Sequence, residues 1–149
     1  MDAKAKKRIL IAKDVLKLLD AKKISPKRGV YINLSDVKVT DEEIPLEKIL
    51  KSKKSCQACA LGSLLYAYVN RFNEVRAGDI AEPDLHIASR DYLSLNPHQG
   101  DCTVVLSKYF YYHQLHLIEG CFEGRFGYKQ QSLRSIMNNV IKNKGEFIP

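Results

Sequence analysis

The segment from Cys56 to Asn70 constrains the fold most, because it is apolar on nearly every side. A helix with apolar residues all round is typical of the centre of a protein rather than of its surface. Ser55 is a suitable N-cap for such a helix. The small residues at positions 58, 60, 62 and 67 would let neighbouring elements approach closely. We therefore predict a buried central helix from Cys56 to Asn70.

The length and composition favour a single domain, residues 1–149, with a mostly α fold and a minor β element. A chain of 149 residues, 45% of them apolar, can bury a sizeable core. The longest mainly apolar run, Ala58 to Val69, is too short to span a bilayer. No N-terminal secretion signal is recognisable. We expect a cytoplasmic protein of a bacterial or phage-infected cell, with no membrane contact and with its four cysteines reduced.

Hydrophobic periodicity and turn residues predict the elements that would pack around the central helix as a compact helical bundle. These are a helix from Ala5 to Ala21, a strand from Gly29 to Leu34, a capping box at Thr40–Glu43 followed by a helix through Leu46 and Leu50, a short helix near Leu85–Leu93, a segment capped by Asp101, a helix from Gln114 to Phe122 that ends at Gly124, and a last helix that starts at Ser132.

The pair Cys56 and Cys59 has three interpretations: buried structural residues, a nucleophile, or a metal or redox pair. A cysteine in the first turn of a helix, after Lys53 and Lys54, is well placed for a lowered thiol pKa. A hydrolase also needs a histidine base, and none is singled out among the four histidines at 86, 98, 113 and 116.

A structural zinc ion takes four ligands, and Cys56, Cys59, His113 and His116 together would supply that number. A cysteine on a tightly packed apolar helix disfavours ligation, however, and free cysteine usually behaves as a small buried residue. We favour the structural interpretation and predict no catalytic residue, no metal and no cofactor.

The positive charge is concentrated in the first third of the chain. Residues 1–54 contain 15 Lys and Arg against 8 Asp and Glu, whereas residues 55–149 contain 9 of each. A basic region attracts an acidic protein surface or a polyanion, although a solvated helix face is the simpler interpretation. The predicted partner-binding lysines are Lys6, Lys7, Lys22, Lys23 and Lys27.

The densest aromatic run is Tyr109–His113. Its rings cannot all face one core, so we predict that Tyr109 and Phe110 are buried and that Tyr111 and Tyr112 are partner-binding residues. Exposed tyrosines are typical of protein-binding surfaces. Stacking on nucleic-acid bases is the alternative use of such rings.

The segment from Cys56 to Leu65 resembles the Cys-Ala-x-Gly-Ala-Leu core of small uncharacterised proteins encoded by phages and bacteria. Two further patches are similar to theirs: Leu106–Phe110 with Gln114–Glu123, and the ending Ile136–Pro149. The resemblance covers about half of the chain. It implies a phage or mobile-element origin and no particular chemistry.

These observations together predict a non-enzymatic interaction protein of phage type that binds a host protein, for example to antagonise host defence or gene expression. The first alternative is a nucleic-acid-binding protein that uses the basic N-terminal third. The second is a cysteine-dependent hydrolase with Cys56 as nucleophile. The sequence does not predict the oligomeric state.

Overall fold

The segment predicted to be central is buried in the core of the computed structural model, which describes residues 2–82, 93–97 and 99–149. It forms a helix, Ala60–Phe72, of which ten residues are buried. The described residues form seven helices and five short strands, so the predicted mostly α fold with a minor β element is confirmed.

The helices and strands are numbered in chain order. The helices are α1 (Ala3–Asp20), α2 (Leu46–Ser52), α3 (Ala60–Phe72), α4 (Ala77–Ile80), α5 (Gln99–Leu106), α6 (Tyr112–Glu123) and α7 (Leu133–Lys142). The strands are β1 (Ile24–Pro26), β2 (Lys38–Val39), β3 (Cys56–Ala58), β4 (Ala81–Glu82) and β5 (Leu93–Leu95). Strands β1 and β3 form a parallel pair, and β5 lies between β2 and β4 in an antiparallel sheet. Helices α1, α2, α5 and α6 pack against α3. No helix in the described ranges is long and apolar enough to cross a membrane.

Three of the predicted helices are confirmed with small shifts at their ends. The helix predicted from Ala5 to Ala21 is α1, and the helix predicted from Gln114 to Phe122 is α6. Gly124 ends α6 in the left-handed conformation. Ser132 is the N-cap of α7, where its hydroxyl oxygen accepts a hydrogen bond from the Ser135 N–H at 3.1 Å.

The predicted start of the central helix is wrong. Residues Cys56–Ala58 form β3, and Cys59 rather than Ser55 is the N-cap of α3. The physical reason is a pairing with a distant segment: Cys56 pairs with Ile24, and Ala58 with Pro26. In β3 the side chains at 56 and 58 point inward and that of residue 57 is exposed, which is the alternation of a half-buried strand.

The strand predicted from Gly29 to Leu34 is also wrong. Gly29 has a φ of +79° and lies in a turn, and the residues after it follow β3 only briefly, where the Asn33 N–H donates to the Gln57 carbonyl oxygen at 2.8 Å. The predicted segment makes one isolated bridge, between Ile32 and Ala58. The helix predicted through Leu46 and Leu50 is confirmed as α2.

The predicted capping box at Thr40–Glu43 does not cap this helix. Helix α2 follows Pro45, which makes no side-chain capping bond. The Asp41 carboxylate instead accepts a hydrogen bond from the Glu43 N–H at 2.9 Å and closes a local turn.

The helix predicted near Leu85–Leu93 lies outside the described residues, apart from Leu93, where β5 begins. The segment expected to be capped by Asp101 is α5. It begins at Gln99, so Asp101 lies in its first turn rather than at its cap.

A buried arginine joins the first helix to the C-terminal end of the fold. Arg8 is only 3% exposed. Its Nε donates a hydrogen bond to the Gly145 carbonyl oxygen at 2.7 Å, and its Nη1 donates to the Tyr109 carbonyl oxygen at 2.8 Å. A Cβ on Gly145 would lie 2.9 Å from the Ala5 carbonyl oxygen. The backbone of α1 and that of the segment after α7 are therefore in direct contact.

Gly62 lets a neighbouring backbone lie directly against the first turn of α3. A Cβ at this position would be 1.3 Å from the Tyr31 carbonyl oxygen and 2.3 Å from its carbonyl carbon. No side chain fits in that space. This close approach accounts for a glycine in a helix interior, where it costs about 1 kcal/mol relative to alanine.

We expect Gly62→Ala to lower the free energy of unfolding by about 3 kcal/mol, because the added methyl group must displace the Tyr31 backbone. Gly100→Ala is the matched control, since Gly100 lies in α5 and a Cβ there meets no atom within 4 Å. The control should gain up to about 1 kcal/mol. Urea unfolding followed by circular dichroism measures both changes. A Gly62→Ala protein as stable as the wild type would contradict the close contact.

Candidate functional site

The thiol of Cys59 lies at the junction of three segments of the chain. Cys59 is fully buried between the end of β3 and the start of α3. Its N–H donates a hydrogen bond to the Val30 carbonyl oxygen at 2.6 Å. Its Sγ is 3.7 Å from the Tyr31 carbonyl oxygen and 3.6 Å from Oε2 of Glu119 on α6. The same backbone approach that requires Gly62 therefore places a carbonyl oxygen beside this thiol.

Two glutamates of α6 lie close to the Cys59 thiol. Glu119 and Glu123 are four residues apart and so lie on one face of the helix. Glu119 is 6% exposed. The N–H of Gly29 donates to Oε1 and Oε2 of Glu123, at 2.9 and 3.1 Å. The Cys59 Sγ, one carboxylate oxygen of Glu119 and one of Glu123 all lie within 4.8 Å of one another. We call these three side chains the thiol–carboxyl cluster.

The cluster is electrostatically unusual because it gathers acidic groups in a buried place. Burial, and next the charge of Glu123, raise the pKa of the Glu119 carboxyl to about 7. Burial, and next the charge of Glu119, raise the pKa of the Cys59 thiol well above its ordinary value, and the N–H groups of Leu61 and Gly62 oppose that shift only partly. The thiol by itself is therefore protonated at neutral pH and is not a ready nucleophile.

Sequence reasoning singled out Cys56 rather than Cys59 and missed both glutamates. Cys56 is in β3 instead of the first turn of a helix, and burial raises the pKa of its thiol although Lys53 opposes the shift. A signal for Glu119 was present in the sequence. This carboxyl group interrupts the apolar run from Leu115 to Phe122, and a charged residue on a buried helix face marks a candidate site.

The four residues considered for a zinc site are not brought together by the described structure. His113 is exposed and stacks on Tyr111, with ring centroids 5.7 Å apart. His116 is also exposed and lies 4.9 Å from the Phe126 ring. His86 and His98 lie outside the described residues.

The five predicted partner-binding lysines fall into two groups. Lys6 is exposed and Lys7 lies over the Phe72 ring, both in the first half of α1. Lys22, Lys23 and Lys27 are exposed and follow the end of α1. Because an α-helix rises 1.5 Å per residue, α1 extends for about 20 Å from Lys7 to its end at Asp20, and Lys22 and Lys23 follow that end. A small partner surface would contact one group rather than both.

The aromatic run divides between the interior and the surface. Phe110 is buried as predicted, whereas Tyr109 is only half-buried and packs against the rings of Tyr68 and Phe72. Tyr111 and Tyr112 are exposed by more than half. The Arg8 guanidinium lies over the Tyr111 ring, 5.6 Å from its centroid, and the His113 ring stacks on Tyr111.

Two more exposed aromatic residues lie in the loop between α6 and α7. Phe126 is 67% exposed and Tyr128 is 39% exposed. A Cβ on Gly120 would lie 3.1 Å from the Tyr128 ring and 3.3 Å from the Phe126 ring, so both rings cover this point of α6. Phe126 has a φ of +58°, which is rare for an aromatic residue. Such strain persists only where the surroundings hold it, and it clusters at functional sites.

The rings of Phe126 and Tyr128 lie against the same face of α6 that carries Tyr112. Tyr112, His116 and Gly120 are successive i,i+4 neighbours on α6 and therefore share one face. Phe126 contacts His116 and, with Tyr128, covers Gly120. We call Tyr112, His116, Phe126 and Tyr128 the aromatic strip. From residue 112 to residue 120 it follows about 12 Å of helix.

Comparison of the chain with protein-family models, with curated proteins and with solved structures found no match.

We expect all four cysteines to resist alkylation in the folded protein at neutral pH, because all four are buried and the pKa of each thiol is raised. Iodoacetamide labelling followed by peptide mass spectrometry should show each site at least about tenfold slower than in the urea-unfolded chain. Selective labelling of Cys56 in the folded protein would contradict this expectation and would favour the hydrolase alternative.

Proposed function

We propose that the chain is a non-enzymatic interaction protein that acts by binding another protein through the aromatic strip. The main support is that Tyr112, His116, Phe126 and Tyr128 are all exposed. They follow one another along α6 and the loop after it. Tyrosine and phenylalanine are enriched at protein interfaces, where they bury a large area at a small loss of conformational entropy. The resemblance to phage-encoded proteins makes a host protein in the cytoplasm of an infected bacterium the expected partner.

The positive φ of Phe126 supports this proposal. Gly124 and Gly127, with φ of +70° and +79°, flank a bulky residue that itself adopts the left-handed region. The loop thus holds an aromatic ring outward at a cost in backbone energy of about 1–3 kcal/mol. Phe126 is two-thirds exposed, so its side chain is available to a partner.

Cationic side chains flank the strip, and this observation favours nucleic-acid binding as the second candidate function. Arg125 and Lys129 lie in the same exposed loop. Arg28 donates from its Nε to the Phe122 carbonyl oxygen at 3.0 Å and so lies at the end of α6. Aromatic rings beside cations suit single-stranded nucleic acid.

The cysteine-hydrolase alternative has less support. Cys56 is buried in a strand with a raised thiol pKa. A nucleophilic cysteine needs the opposite setting, with partial exposure and a lowered pKa.

We expect the strip to determine partner capture from bacterial lysate. The test variant is Tyr112→Ser with Phe126→Asn, since asparagine tolerates the left-handed backbone at 126. The control variant is Val104→Ser with Ile148→Ser, which changes two exposed apolar residues outside the strip. Loss of two aromatic anchors should weaken binding at least about 30-fold, as for interface hot spots.

The capture is run with and without nuclease, and the partner is identified by mass spectrometry. A protein that survives nuclease, stays with the control variant and is lost with the strip variant meets the expectation. Equal capture by the wild type and the strip variant would contradict the proposal. Loss of capture on nuclease treatment would favour the nucleic-acid function instead.

We expect charge reversal in the two lysine groups to slow association with the captured partner unequally. Reversal in the group nearer the partner should have the larger effect. The two variants are Lys6→Glu with Lys7→Glu, and Lys22→Glu with Lys23→Glu and Lys27→Glu. Rim charges act mainly on the association rate, and salt screens their effect. Surface plasmon resonance at low and high salt measures this. If neither variant slows association at low salt, steering by the basic region is wrong.

A further inference from the structure

We propose that the thiol–carboxyl cluster binds one divalent transition-metal ion of the zinc class, through Cys59 Sγ and one carboxylate oxygen each of Glu119 and Glu123. The Tyr31 carbonyl oxygen supplies the fourth ligand. This site is separate from the aromatic strip, and it does not depend on the partner proposed above.

Two of the separations within the cluster are those of a tetrahedral zinc site. Zinc binds sulfur at about 2.3 Å and oxygen at about 2.0–2.2 Å, and tetrahedral angles then place a ligand sulfur about 3.5–3.7 Å from each ligand oxygen. Cys59 Sγ is 3.6 Å from Oε2 of Glu119 and 3.7 Å from the Tyr31 carbonyl oxygen. The two glutamate carboxylates and the sulfur all supply atoms within 4.8 Å of one another.

The buried carboxyl group of the cluster has no basic side chain beside it. Glu119 is 94% buried, since its exposed fraction is 6%. Buried carboxylates are normally paired with a cation or bound to a metal. In the described part of the chain, no Lys or Arg side chain makes a hydrogen bond or ion pair with Glu119. The donors at its carboxyl group are the Cys59 thiol and the Leu61 N–H, and a side-chain hydrogen bond to Glu123 places a proton between the two carboxyl groups. A metal ion would take the place of that proton.

The supporting structure holds the ligands in fixed positions. Cys59 is the N-cap of α3, and its backbone is bound by the Val30 and Tyr31 carbonyl oxygens. Glu123 is oriented by the Gly29 N–H, which donates to both of its carboxylate oxygens. Outer hydrogen bonds of this kind orient metal ligands.

The ligand chemistry selects the class of ion. The ion displaces the Cys59 thiol proton, which is released to solvent. The resulting thiolate favours zinc and its transition-metal neighbours over magnesium and calcium, which prefer oxygen ligands alone. The cluster joins the β3–α3 junction to α6, so a bound ion would connect two segments that are 60 residues apart in sequence. We therefore assign the ion a structural role.

The experiment titrates the full chain with cobalt(II) after treatment with a chelator and removal of the chelator. We expect thiolate-to-cobalt charge-transfer absorption that saturates at one equivalent and that zinc displaces. Cys59→Ala should abolish this absorption, and Glu119→Gln should weaken binding at least about tenfold. Cys121→Ala is the matched control because it removes another buried cysteine of the same core. It should leave the titration unchanged.

Two results would overturn the proposal. One is a wild-type chain with no charge-transfer absorption and no uptake of zinc at millimolar concentration. The other is unchanged affinity in both Glu119→Gln and Glu123→Gln. The Glu123 variant changes a partly exposed side chain, so it reports on ligation even if Cys59→Ala does not fold. Calcium and magnesium should neither bind at one equivalent nor displace cobalt.

Discussion

The arrangement of the interior depends on the contact between the Tyr31 backbone and the first turn of α3 at Gly62. There the chain segment before β2 runs against a helix with no side chain between them. Carbonyl oxygens of Val30 and Tyr31 accept the Cys59 N–H, so this segment is held against the end of β3, which also pairs with β1. The contact also determines which thiol faces α6. A larger residue at position 62 would move the β3–α3 junction and, with it, one wall of the thiol–carboxyl cluster.

The sequence was informative where structure is local and misleading where it is not. The positions of α1, α6 and α7 follow from helical periodicity and from Ser132 and Gly124 at their ends. The first residues of the predicted central helix instead became β3, because Cys56 pairs with Ile24 across more than thirty residues. Local apolar pattern does not distinguish a short buried strand from the start of a buried helix.

The same contrast between local and long-range structure explains which site residues could be predicted from the sequence. Cys59 was visible in its motif, and Tyr112 in its aromatic run. Glu119 was placed beside Cys59 only by the packing of α6 on α3, which no local pattern encodes. Phe126 and Tyr128 were missed because their contact with α6 depends on a glycine at 120 and on an unusual loop backbone. One helix thus carries the two carboxyl groups of a buried cluster and the aromatic residues of a surface.

The bonds of Arg8 have a consequence for how the chain acquires its structure. The guanidinium joins α1 to the Gly145 carbonyl, a partner 137 residues later in the chain. Contacts between distant residues make folding slow, because their loop-closure entropy is lost before the contact is gained. On the ribosome, α1 emerges before α7, and its bond to Gly145 forms only after residue 145 has left the exit tunnel. This fold is therefore completed only after residue 145 has been synthesised and released from the tunnel.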